Sequence, residues 1–179
     1  MDGVFLIPTI MIIEKILEVL PLVSAVAVGL KWVLDYSENK KWEKNKFLLE
    51  RLELFENLES TKKVHKMLDW NKCKIDGETI TDEILISSLE THNNRSVFTV
   101  TESKIRGLFD EYMDNLNKLI VLGETGLIDE KNLKIYLRYW FDILSGVKKN
   151  KPKEFITKLH NYLDFYGYDG ILTFLNVTI

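Results

Sequence analysis

A single cysteine, three histidines, three prolines and nine glycines are spread over 179 residues. Each scarcity excludes something. Cys73 alone cannot close an intrachain disulfide and fits a reducing compartment. With histidines only at 65, 92 and 160, no zinc-ligand spacing exists, so neither a metal site nor a cofactor is expected. Phosphate-binding glycine loops, GxSxG elbows and HExxH pairs are all missing. No long alternating run, internal repeat or low-complexity tract is present either. The net charge of −3 gives the whole chain no general pull on polyanions. What is left is an all-α sequence, read as an N-terminal membrane helix followed by a cytoplasmic helical bundle.

The positive feature is the opening stretch, VFLIPTIMIIEKILEVLPLVSAVAVGLKWVL at 4–34, interrupted only by Glu14, Lys15, Glu18 and Lys31. A bilayer span needs roughly 20 mostly apolar residues, and Ile16 to Leu34 supplies them. Between Pro8 and Trp32 stand twelve Ile, Leu or Val residues, which favour insertion by about 0.3–0.6 kcal/mol each. Glu14, Lys15 and Glu18 oppose it by about 2.5–3.5 kcal/mol each if held at the centre. Alone, such a helix is marginal. It is rescued if the charges sit at the far interface or face a wet interior made by several copies.

Helical spacing points to the second rescue. Glu14, Glu18, Pro21, Ala25 and Gly29 fall near one line of a 3.6-residue helix, polar at its start and small at its end. Small residues allow close helix approach, and intramembrane carboxylates face a bundle interior or cavity. These five are the expected pore-lining or helix-interface residues. Lys31 and Trp32 are the expected interface anchors. The competing reading breaks the stretch at Pro21 into two amphipathic helices, 9–20 and 22–36, of a soluble core. A signal peptide is disfavoured by the acidic MDGV start.

Asp2 is the only charge before Glu14, whereas Lys31, Lys40, Lys41, Lys44, Lys46 and Arg51 follow the span. The positive-inside rule then places the C-terminal portion in the cytoplasm. The expected organisation is a transmembrane helix over 1–36 and a cytoplasmic bundle over 37–179. The location is a bacterial inner membrane, crossed once, with the N-terminus outside.

Beyond the span, the absence of Gly and Pro from Asp35 to Leu58 lets the first helix run on. Ser60 is the expected cap of TKKVHKMLDW, and Asp76-Gly77 signals a turn or small hairpin. Thr81 starts a helix to about Glu90, and SVFTV at 96–100 reads as a short extended piece. A long helix is expected over 101–122, capped by Thr101 and ended by Gly123, with Ile105, Phe109, Tyr112 and Leu116 on its apolar stripe. Asp129 opens another that runs to Ser145, and a third spans about Lys151 to Tyr166, with Pro152 in its first turn.

Candidate chemistry is thin, and no residue is assigned as catalytic. His65 and Asp69, at i and i+4, read as a surface pair before they read as a base with its orienting carboxylate. His160 reads as a half-buried histidine, and His92 lies in an Asn-rich loop with no assigned role. Lys148, Lys149, Lys151 and Lys153 form a basic contact loop that either meets RNA or anionic lipid or is simply solvated.

FENLESTKKVHKMLDWN at 55–71, FDEYMDNLNKL at 109–119 and LRYWFDIL at 137–144 carry a family resemblance. In size and layout the chain resembles the small membrane accessory proteins of RNA-targeting type VI-B CRISPR systems. That resemblance implies a HEPN-like helical domain, homo-oligomeric membrane pores and a part in antiviral defence. It also implies the bilayer, sister copies and a CRISPR effector or its RNA products as partners, with no small-molecule substrate. The sequence departs from HEPN ribonucleases, whose pattern is Arg, four to six residues, then His. None of Arg51, Arg95, Arg106 and Arg138 precedes a histidine at that distance. A pore is therefore the first expectation, a membrane-tethered adaptor the second and a HEPN-type ribonuclease the third.

Overall fold

A computed structural model describes the backbone of residues 6–69 and 73–177, and the side chains of these except 6–19, 22, 23 and 25. It is mostly helical, in keeping with the all-α expectation. The element order is α1 (Leu6–Asn57), α2 (Glu59–Asp69), β1 (Cys73–Ile75), β2 (Glu78–Ile80), α3 (Asp82–Ser88), α4 (Val100–Glu124), α5 (Glu130–Tyr136), α6 (Arg138–Leu144), α7 (Lys153–Phe165) and α8 (Asp169–Phe174). The chain divides into two units, Met1–Glu43 and Lys44–Ile179.

The first unit is helical from Leu6 onward, and Pro21 does not break it. The break that the competing reading places at Pro21 is therefore absent. Ser24 donates its hydroxyl to the Leu20 carbonyl at 2.9 Å, one polar contact made locally beside the proline. Among the described residues no helix is long and apolar enough to cross a membrane. The span expected over 16–34 gains no support from that finding; several of its side chains are not among those described.

The second unit carries the hydrophobic core. Leu48, Leu52 and Phe55 repeat at helical spacing and are buried, as are Val64, Met67 and Leu68 of α2. The organising element is α4, which packs against α2, α3, α5 and α8. Contact on several sides is why its stripe is broad: Ile105, Phe109, Tyr112, Met113, Leu116, Leu119 and Ile120 are all buried. Phe155, Leu159, Tyr162 and Leu163 bring α7 to the same core.

Local chemistry explains most boundaries. Asp76 and Gly77 both have positive φ, +52° and +84°, as a two-residue hairpin turn between β1 and β2 requires. Thr81 caps α3 and Asp129 caps α5, as the sequence indicates. Four expectations need correction. Helix α2 begins at Glu59, so Ser60 is not its cap; its hydroxyl is buried with no partner. Thr99, not Thr101, opens α4 through a capping box with Glu102, so Val100 already belongs to the helix rather than to the extended piece before it. Helix α4 passes Gly123 and ends at Glu124, near Gly126 at φ +71°. The single helix expected over 129–145 is two, re-phased at Leu137, which allows Ile143 to be buried beside Phe141 and Leu144.

Candidate functional site

The densest polar constellation of the second unit is built around Arg106, which is only 7% exposed. Ile105 and Phe109 fix its helix in the core, so the guanidinium is turned toward the end of α3 and the loop after it. Nη1 donates to the carbonyls of Ser88 (2.7 Å) and Glu90 (2.6 Å). Nη2 donates to the Tyr166 hydroxyl (2.7 Å) and meets His92 Nδ1 at 3.1 Å. Phe98 covers the guanidinium with its ring centre 4.2 Å away, and Tyr162 lies at 5.1 Å. Arginine can only donate, so His92 Nδ1 is an acceptor and the ring's proton sits on Nε2. Tyr166 Oη lies 2.9 Å from the same Nδ1, closing a triangle of Arg106, His92 and Tyr166.

A second layer braces this triangle. Glu102 accepts a fork of two bonds from Arg95, at 2.7 and 2.9 Å, while also accepting from the Thr99 backbone and the Ser87 hydroxyl. Burial alone disfavours the carboxylate, but these donors outweigh it and hold Glu102 at about 2. Lys158 pairs with Glu90. Tyr162 donates to Asp110, and burial together with that carboxylate raises its phenol.

Four of the five guanidinium N–H groups of Arg106 are already spent on protein acceptors, which leaves only Nε. The group therefore works as a clamp on the C-terminal carbonyls of α3, at the negative end of that helix's dipole. Sequence reading gave no role to His92 or to Arg106. Fourteen residues separate them, histidine first, so no motif of the form Arg-then-His could find the pair.

The other sequence candidates are dispersed. Pro21 and Gly29 are exposed along α1, and Glu14, Glu18 and Ala25 share that helix, with side chains outside the described residues. Lys31 is exposed, and Trp32 is 69% exposed and stacks on Tyr36 with ring centres 5.9 Å apart. The four lysines of the basic loop differ in their surroundings. Lys148 lies over the Tyr139 ring at 3.5 Å, Lys151 is buried against Asp82 at 2.8 Å, and Lys149 and Lys153 are exposed. Lys151 is thus ion-paired, unlike Lys149 and Lys153. His160 is half-buried, as expected, and donates Nε2–H to the Leu144 carbonyl at 2.8 Å.

His65 and Asp69 are not a surface pair. Asp69 accepts from Tyr139 and from Asn150, the latter at 3.2 Å, while the His65 ring stacks on Trp140 at 3.5 Å and 9°. Burial, partly offset by Asp69, pulls His65 from 6.5 down to about 4, and its Nε2 is buried without a partner. The fold thus refuses a proton that the unfolded chain accepts, so stability falls as pH drops from 6.5 toward 4. We expect a loss of about 2 kcal/mol across that window, discounted for the part of the ring that meets solvent. In His65→Phe that slope should flatten, because phenylalanine keeps the stack and removes the orphaned nitrogen. Unfolding midpoints at pH 7 and pH 4.5 check this; identical slopes for both proteins would refute it. Glu102 does not confound the comparison, because both proteins carry it and whatever it loses as pH falls toward 4.5 cancels between their slopes.

No family model, curated protein or solved structure matches this chain.

Proposed function

We propose that this chain is the protomer of a homo-oligomeric bacterial membrane protein whose α1 helices surround an aqueous lumen. One observation carries the reading. Leu20, Val26, Val28, Leu30, Val33 and Leu34 are each more than half exposed, and at about 100° per residue they spread over roughly 220° of α1, leaving the sector of Pro21 and Gly29 without a large side chain of this set. An exposed apolar surface that broad is stable in lipid or inside an assembly, not in water. Leu6 to Glu43 extends about 57 Å at 1.5 Å per residue, against roughly 30 Å of hydrocarbon.

Glu14 and Glu18 support a lumen over a lone anchor, because carboxylates in an apolar stretch are tolerated where sister helices shield them around water. Rings of carboxylates at that level would favour cations. The helical unit Lys44–Ile179 would then build the ring on the cytoplasmic side and receive the activating partner. The place in antiviral defence rests on the family resemblance.

The test is native mass measurement or single-particle imaging of the full chain in detergent, together with leakage from liposomes. A ring of several copies that releases small ions is the expected result, with release reduced by Glu14→Gln and Glu18→Gln. A ring or dimer without leakage would favour the tethered adaptor instead. A monomer soluble without amphiphile would end both readings. The ribonuclease reading draws on the Arg106–His92 contact. It is opposed by the saturation of Arg106, which leaves one N–H for a phosphate where a clamp needs two or more.

A further inference from the structure

Residues 145–160 enclose a recess of about 590 Å³, within the size range of small-ligand sites. Its lining includes Lys149, Lys151, Lys153 and His160 and contains no carboxylate, in a chain whose net charge is −3. The loop is shaped to make it. Gly146 has φ +78°, and a Cβ there would lie 3.0 Å from Ile156 Cγ2, so glycine lets the loop approach α7. Lys151 is turned inward to Asp82 and holds the loop's far end, while the bond from His160 to the Leu144 carbonyl fixes the opposite wall.

That division of labour leaves Lys149 and Lys153 as the working cations. Both are exposed, and neither has an ion-pair partner among the described residues. Two exposed lysines in a lining without a carboxylate call for an anion carrying about two charges. The first turn of α7 adds backbone N–H groups that no side chain caps. No Phe, Tyr or Trp lines the recess, and the one ring there, His160, is tied to the Leu144 carbonyl, so the lining offers no broad platform for a nucleobase.

We propose that the recess binds a compact phosphate anion of the diphosphate or phosphomonoester class, held by Lys149 and Lys153. The proposal concerns only the second unit and stands whether or not α1 lines a pore. Two sources share this chemistry, a soluble phosphate and the headgroup of an anionic lipid.

Titrating the full chain in detergent with inorganic pyrophosphate tests the first source. Phosphatidylcholine vesicles with and without phosphatidic acid test the second. The variant is K149Q/K153Q, chosen because both side chains are exposed and the thermal midpoint should not move. Roughly tenfold weaker pyrophosphate binding per lysine removed, with a shallower salt dependence, is the expected result. If pyrophosphate does not bind but the wild-type preference for phosphatidic acid over plain vesicles is lost in the variant, the site reads a lipid headgroup and the proposal holds. Binding of neither probe, or binding that the double variant retains in full, overturns it.

Discussion

Arg106→Met is expected to destabilise the helical unit by about 3–5 kcal/mol, a large share of the 5–15 kcal/mol that holds a typical domain folded. Methionine keeps the aliphatic stem against the neighbouring rings but donates nothing. The carbonyls of Ser88 and Glu90 would lose their guanidinium donors, and Tyr166 and His92 would lose the bond that orders them. Lysine should not rescue it. An ammonium has three donors on a single nitrogen, whereas four acceptors here are read by two separate nitrogens of a planar fork. His92→Ala removes one acceptor at an exposed ring and should cost far less. The ordering Arg106→Met, then Arg106→Lys, then His92→Ala, read from urea midpoints of the full chain in detergent, checks the clamp. Equal stability of Arg106→Met and wild type would show that the constellation is not structural, and the ribonuclease reading would regain ground.

That constellation also marks where sequence reading stops. Helix α4 was legible because Ile105, Phe109, Tyr112 and Leu116 share one face, and the caps at Thr81 and Asp129 were legible because each bonds within its own first turn. The hairpin was legible because Asp-Gly suits two consecutive positive φ angles. All of these are local. The start of α4 was misplaced by two residues although TVTE at 99–102 spells the box, because Thr101 competes for the same role; its hydroxyl instead meets Glu78, far away in sequence. Lys151 and Asp82 stand 69 residues apart, and Arg106 and Tyr166 stand 60 apart. Such pairs depend on how α3, α4 and α7 close on one another, and nothing in a 3.6-residue period encodes it. His65 differs: its i, i+4 spacing to Asp69 reads as a surface pair, while Trp140 from α6 covers its ring.

The sharpest division between the lumen and its rivals comes from two adjacent residues of α1. Gly29 continues the line of Glu14, Glu18, Pro21 and Ala25, whereas Leu30, about 100° further round, lies toward the opposite face. Both positions are exposed, and a side chain added at Gly29 meets nothing within 4 Å. If sister helices face water along the first line and lipid along the other, Leu30→Lys places a charge in hydrocarbon at a cost of about 2.5–3.5 kcal/mol. Gly29→Lys then places it in the lumen at a small fraction of that cost. Membrane retention after alkaline extraction should fall sharply for Leu30→Lys and little for Gly29→Lys, while ion flux through the latter should shift away from cations. Equal loss at both positions would mean lipid on every side, which is the behaviour of a single anchor and removes the lumen. Equal tolerance would mean that neither residue sits in hydrocarbon, and the membrane reading of α1 would fall with it.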